Sequence, residues 1–232
     1  MIATRHRTDP APTLDPIEGF RVRREMSAEL MAGLQNRTEI DIGRRMWDEH
    51  RAYVASIDGE DVAFGWVATY QAMIGEIDSA FFIPKGERYL WNFVTLPSYR
   101  GKGIYPRLLD AIVRAEMEEA ERFWVAYAPE NYASGVGIDK AGFTTVAQIS
   151  FDQHDLPAIH MLVEGAPNPA KMLGLRTLEE ALAQCWRCVR MGRTKERSCA
   201  PGSCRCDYQK PDSSCESPVT SSGLALTAAP SQ

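Results

Sequence analysis

The spacing of apolar residues changes character near residue 100. Before it, β-rich runs dominate: Phe20–Arg24, the two arms of AYVASIDGEDVAFGWVATY, Ala80–Ile83, and YLWNFVTL over Tyr89–Leu96. Asp58-Gly59 separates the two arms of the second run and predicts a tight hairpin. Ahead of that hairpin, SAELMAGLQ and TEIDIGRRMWDEHR predict two helices, with Ser27 and Thr38 placed to cap them. After residue 100, Ile104, Leu108, Leu109, Ile112, Val113 and Met117 recur every three or four residues, which puts them on one face of a helix. A strand over Phe123–Ala128 follows. Then come a short helix over Asn131–Ala141, ended by Gly142, and strands over Phe143–Ser150 and Ile159–Val163.

The two ends read differently. Residues 1–17 hold three prolines and no periodicity, and are expected to form a flexible leader. Residues 18–164 are expected to form the folded domain. Residues 165–210 read as a helical and Cys-rich extension, with a helix over Leu173–Arg190. Residues 211–232 are rich in Ser, Pro, Thr and Ala and are expected to be disordered.

Of the 232 residues, 44% are hydrophobic and 25% charged, as in soluble globular proteins. A net charge of -5 argues against a nucleic-acid surface over the whole molecule and leaves room only for a local basic patch. No apolar run approaches the roughly 18 residues that span a bilayer. The N-terminal MIATRHRTDPAPTLDP lacks the apolar core of a signal peptide. The expectation is a cytoplasmic protein with no membrane partner, whose six cysteines are free thiols or metal ligands rather than disulfides.

Chemistry concentrates in YRGKGIYPRLL, Tyr99–Leu109, between a strand and an amphipathic helix. The first N–H groups of a helix have no internal partner, and the helix dipole is positive there. Gly101 and Gly103 let a ligand approach the backbone, and Arg100 and Lys102 add charge. The turn therefore reads as a phosphate site. The nucleoside-triphosphate loop G-x-x-x-x-G-K-[ST] is absent, and the dinucleotide pattern G-x-G-x-x-G fails because Pro106 holds its last position. The remaining reading is the pyrophosphate of coenzyme A.

These residues carry a resemblance. The GCN5-related N-acetyltransferase (GNAT) superfamily has [RQ]-x-x-G-x-[GA] after a strand and opening a helix; Arg100, Gly103 and Tyr105 take those positions. Pro97 fits the V-x-P-x-[YF]-R lead-in, with Thr95 at the Val position. A second block, N-x-x-[AS] followed by Gly-Phe eleven residues after the Asn, is matched by Asn131, Ser134, Gly142 and Phe143. The resemblance covers residues 18–164. It implies an α/β (α+β) GNAT-like fold, a mixed and mostly antiparallel sheet flanked by helices. It also implies acetyl transfer from acetyl-CoA to a primary amine of a small molecule or peptide, by direct attack without an acyl-enzyme. The cofactor contacts implied are Phe93, Val94 and Thr95 on the strand, then Arg100, Gly101, Lys102, Gly103, Ile104 and Tyr105 in the turn, with Asn131 and Ser134 on the later helix. Tyr105 departs from the family's Gly or Ala.

The catalytic residues are less determined. The family's Tyr acid, four residues before Gly-Phe, is replaced by Ile138. Ser134 is the preferred substitute, with Tyr132, Tyr127 and Tyr105 as others. At the strand position where the family often has a carboxylate stands Asn92, suited to orienting water or substrate. Glu87 is the nearest upstream carboxylate, followed by Glu76 and Asp78. Trp66, Tyr70, Phe81, Phe82, Tyr89 and Trp91 are expected to surround the acceptor end. The alternative to an enzyme is a CoA-binding or adaptor module. In the extension, Cys185, Cys188, Cys204 and Cys206 suit a structural zinc, with free thiols as the alternative. Seven Arg or Lys between Cys185 and Lys210 leave nucleic acid as a partner of that segment alone.

Overall fold

A computed structural model describes residues 1–152, 154, 156–180 and 186. The first strand, β1 (Ile2–His6), is followed by β2 (Phe20–Glu25), α1 (Ala28–Gln35), α2 (Glu39–Trp47), β3 (Arg51–Ile57) and β4 (Glu60–Ala68). A hairpin of β5 (Gln71–Ile74) and β6 (Ser79–Phe82) leads into β7 (Glu87–Thr95) and α3 (Ile104–Glu116). Then come β8 (Arg122–Ala126), α4 (Tyr132–Lys140), β9 (Thr144–Phe151), β10 (Pro157–Met161), α5 (Ala170–Leu173) and β11 (Arg176–Leu178).

Nine strands form one sheet in the order β11-β10-β9-β1-β8-β7-β4-β3-β2. Only β7–β8 and β10–β11 pair parallel. Local chemistry accounts for several boundaries. Ser27 and Thr38 accept hydrogen bonds from the N–H groups of Leu30 and Asp41 and so cap α1 and α2. Asp58 and Gly59, with φ of 50° and 87°, turn the β3–β4 hairpin as expected. Ala80–Ile83 does not join the large sheet: β6 pairs with β5 in a separate ribbon.

The expected leader is corrected at its start. Ile2–His6 lies between β8 and β9, antiparallel to both. Its first four residues, Ile2, Ala3, Thr4 and Arg5, are all buried, covered on both faces. Polar side chains hid it from a search for apolar rhythm, and Thr4 and Arg5 both reach distant partners. The Thr4 hydroxyl donates to the Phe123 carbonyl at 3.0 Å. Arg5 donates to Asp110 of α3 at 2.8 Å and to the Ala141 carbonyl at the end of α4 at 3.0 Å. The expected helix over Leu173–Arg190 is revised over residues 174–180, where α5 ends at Leu173 and β11 follows it; residues 181–185 and 187–190 lie outside the described residues.

Along β7, successive side chains serve opposite faces. Leu90 joins the cluster formed with Ile104, Leu108, Ile112 and Phe123, beneath α3. Trp91 packs on the other face, beside Trp66 and the α1–α2 pair. The far end of α3 is fixed by a buried carboxylate. Glu116 accepts from Tyr53 Oη and Arg51 at 2.6 Å and from Arg88 at 2.9 Å. These contacts tie α3 to β3 and β7 and set the direction from which its N-terminus meets the end of β7.

Candidate active site

The parallel ladder between β7 and β8 runs from Glu87↔Arg122 to Leu90↔Val125 and stops. Strand β7 continues to Thr95, paired only with β4. Residues 91–95 therefore turn one unpaired backbone edge toward the gap beside β8, which is an edge open to a ligand. Two residues of β7, Asn92 and Phe93, face the single Gly65 of β4, where the register shifts. Asn92 takes a φ of 51°, a left-handed conformation that asparagine tolerates. A Cβ on Gly65 would stand 2.1 Å from the Phe93 ring, so glycine there is what lets the bulge sit flat on β4.

Beyond the bulge the chain makes a short 3₁₀ turn over Pro97–Tyr99 and enters the glycine turn. Gly101 and Gly103 have φ of 76° and 70°. Arg100 Nε donates to the Thr95 carbonyl at 3.1 Å, which ties the turn back to the bulged strand. Lys102 Nζ stands 4.8 Å from the centre of the Tyr99 ring. Among helices of eight or more residues, α1, α2 and α4 are capped by the side chains of Ser27, Thr38 and Asn131. Helix α3 begins at Gly103 with no side-chain cap. Its first amides are left for a ligand, in a turn that already carries two cations.

Tyr105 does not obstruct that turn. Its ring points inward, 5.4 Å from the Phe93 ring. A Cβ on Gly137 of α4 would come 2.5 Å from the Tyr105 ring, and one on Gly135 would come 2.9 Å from Tyr127. The two glycines of α4 let these tyrosines pack directly on its backbone. Burial, and then the neighbouring Tyr127, push the Tyr105 phenol above its ordinary range, so it keeps its proton at neutral pH.

Phe93, Val94 and Thr95 thus lie on the part of β7 that β8 does not pair, and Arg100, Gly101, Lys102, Gly103, Ile104 and Tyr105 follow in the turn and the start of α3, tied to the strand by the Arg100–Thr95 and Phe93–Tyr105 contacts. Asn131 caps α4 by accepting from the Ser134 N–H at 3.1 Å, so its carboxamide oxygen is committed to the helix end. Ser134 itself is half-buried in the first turn. Ile138 is fully buried in the core. Glu87 is set apart: it opens β7 at the end remote from the bulge, about 16 Å of strand from Asn92, and its carboxylate accepts from Trp124 Nε1. His160 lies on β10 with Nδ1 3.3 Å from the Leu178 carbonyl, a contact that joins β10 to β11.

The aromatic set divides. Phe81 and Tyr89 pack edge to face in the core, and Tyr70 and Phe82 pair on the exposed ribbon. Trp66 and Trp91 lie 6.2 Å apart beside the bulge. Two further residues join them there, Gln35 and Arg45, at the ends of α1 and α2. Nothing in their spacing marked them, because they approach the bulge from a different part of the chain.

Among the described residues, no group of three or more His, Cys, Asp or Glu is arranged to hold a metal. Cys185, Cys188, Cys204 and Cys206, and with them the zinc and nucleic-acid readings, lie outside the described residues. No helix of the described residues is long and apolar enough to cross a membrane.

A family model spans these elements. The family model described as "Acetyltransferase (GNAT) family" matches residues 21–137, half of the chain. A search of curated proteins finds no match. Among solved structures, the aminoglycoside N-acetyltransferase AAC(6')-Iy, bound to a CoA bisubstrate analogue, is similar at 19% identity and a TM-score of 0.46. The match covers 58% of this chain and 97% of that one. AAC(6')-Ih from Acinetobacter baumannii matches at 13% identity over 58% and 97% of the two chains, with a TM-score of 0.43. Glucosamine-6-phosphate N-acetyltransferase from Arabidopsis thaliana matches at 15% over 59% and 98%, with a TM-score of 0.40. With its splayed parallel strands, bulged β7 and uncapped glycine turn, and with the family model spanning those same elements, the chain belongs to the GNAT acetyltransferase family.

Proposed function

We propose that the protein is an acetyl-CoA-dependent N-acetyltransferase acting on a primary amine of a small molecule or peptide. The observation that carries this reading is the continuity of three unfilled features. These are the open edge of β7 at residues 91–95, the bulge at Asn92, and the uncapped start of α3 at Gly103.

In this reading the amides from Gly101 to Tyr105, with Arg100 and Lys102, hold the pyrophosphate of acetyl-CoA. The backbone of Phe93, Val94 and Thr95 holds the pantetheine arm along the strand edge. The bulge turns a backbone N–H away from the ladder, where it stabilises negative charge developing on the thioester oxygen. A neutral amine nitrogen forms a bond to the acetyl carbon, the carbon–sulfur bond breaks, and coenzyme A leaves as its thiolate. The amine proton passes to water held by Asn92, since a carboxamide orients water but does not itself take the proton. Ile138 occupies the position where the family often has a tyrosine acid, and a thiolate leaves tolerably well without one. Glu87, engaged by Trp124 at the far end of β7, has no direct part in this scheme.

Release of free thiol from acetyl-CoA, followed across a panel of primary amines, tests the reading. Amine-dependent release in the wild-type protein, lost in Gly103→Val, is the expected result. Binding of acetyl-CoA without release for any amine would favour the CoA-binding module instead.

A further inference from the structure

Beside the bulge lies a cation that forms no ion pair among the described residues. The Arg45 guanidinium carbon stands 4.9 Å from the centre of the Trp91 ring and 5.5 Å from that of Trp66. One of its nitrogens donates to Gln35 Oε1 at 3.1 Å. The same oxygen accepts from Asn92 Nδ2 at 3.0 Å. Arg45 is thus one shared hydrogen-bond acceptor away from the residue that marks the transfer site.

The surrounding charges offset it only in part, since Asp41 attracts it without forming an ion pair. Asp41, one turn earlier on α2, accepts from the Thr38 hydroxyl at 2.8 Å within the helix cap. Arg37 adds like charge. His50 stands edge-on to Trp91 at 5.1 Å. Buried nitrogens without a partner collect in this same cluster: Trp66 Nε1, Trp91 Nε1 and His50 Nδ1. Half-buried charge with no partner is costly, and buried donors left unmet cost about 1–3 kcal/mol each. A guanidinium resting on two indoles has lost water from its faces and keeps its N–H edge for a planar, doubly bonded oxyanion.

We infer that Arg45 is the docking point for an oxyanion on the acceptor, so that the enzyme acetylates amines carrying a carboxylate or phosphate on a short spacer. The inference rests on the proposed acetyltransferase reading and adds to it the class of acceptor. The oxyanion binds the guanidinium edge, and the amine, a short chain away, reaches Asn92 and the thioester. A polycationic amine has no counter-charge to meet at this position.

The test compares matched acceptors with acetyl-CoA as donor: amino acids against their amides, and aminoalkyl phosphates against the corresponding amino alcohols. The amides deprotonate more readily, which biases that comparison against the inference. The expected result is a kcat/KM at least tenfold higher for one class of charged member in the wild type. That ratio should fall toward one in Arg45→Gln and recover in part in Arg45→Lys. Which pair shows the preference separates carboxylate from phosphate. Equal rates within both pairs, or a preference that survives in Arg45→Gln, overturns the inference while leaving the acetyltransferase reading intact. Where turnover is absent, N-acetyl amino acids and N-acetyl aminoalkyl phosphates are titrated into the CoA-loaded protein and tryptophan fluorescence is followed. No response in the wild type also overturns it. Failure of acetyl-CoA itself to bind overturns the underlying function instead.

Discussion

Tyr105 lies against the bare backbone of Gly137, so close that a Cβ added to Gly137 would stand 2.5 Å from the ring. The contact joins the first turn of α3 to the middle of α4. An aromatic residue in the glycine turn is thereby compatible with an open backbone, because the ring is spent on packing elsewhere.

Glycine to alanine within a helix normally stabilises by about 0.5–1 kcal/mol. Gly43 of α2, where an added methyl group would meet nothing within 4 Å, should follow that rule. Gly137→Ala should do the opposite and destabilise by about 1–3 kcal/mol, because the Tyr105 ring must shift. Denaturant unfolding of the two variants measures the contrast, and equal effects would show that the ring is not held there.

Glu116 should govern acid sensitivity. Burial pushes its carboxyl up, but hydrogen bonds from Tyr53, Arg88 and Arg51 outweigh that and hold it below its ordinary value. Its folded-state pKa is depressed, so its stabilisation is present above the unfolded carboxylate range, near pH 4.3, and is lost as pH falls through the lower folded value. Glu116→Gln should cost about 3 kcal/mol or more at pH 7, since Arg88 and Arg51 lose their buried counter-charge. Its stability should also change less than the wild type's between pH 5 and pH 3. Thermal melts across that range check both outcomes.

Strand β1 predicts a long-range effect of a terminal deletion. Removing residues 1–7 exposes the facing edges of β8 and β9 and leaves Asp110 without Arg5. The expected result is loss of cooperative unfolding and aggregation through the open edges. A deletion variant that melts at the wild-type temperature would contradict the central placing of this strand.

What the sequence reveals depends on how local the causes are. The caps Ser27 and Thr38 and the Asp58-Gly59 turn are decided within four residues, and the structure bears them out. The period of α3 is equally local, and its buried face is the expected one. Strand β1 is not local: Thr4 and Arg5 are buried only because Phe123, Asp110 and Ala141 meet them from over a hundred residues away. The glycine turn reads as an anion site because its charges and glycines lie within six residues, and its lack of a side-chain cap is equally local. The packing of Tyr105 was not legible, because its reason is Gly137, and neither was the Arg45 cluster, which α1, α2, β4 and β7 assemble. Glu87 looked available in the sequence only because its partner Trp124 lies on the neighbouring strand.

The central claim is that the glycine turn and the open edge of β7 hold acetyl-CoA, and a thermal-shift titration tests it most directly. Wild type, Arg100→Ala and Gly103→Val are melted with increasing acetyl-CoA. At about 100 times its dissociation constant, the ligand should stabilise the wild type by about 2.7 kcal/mol. Arg100→Ala, which removes one charge and the tie to the Thr95 carbonyl, should shift the response to higher ligand concentration. Gly103→Val, which puts a β-branched residue at a φ of 70°, should abolish the response. No stabilisation of the wild type at millimolar acetyl-CoA, or an undiminished response in both variants, would contradict the account.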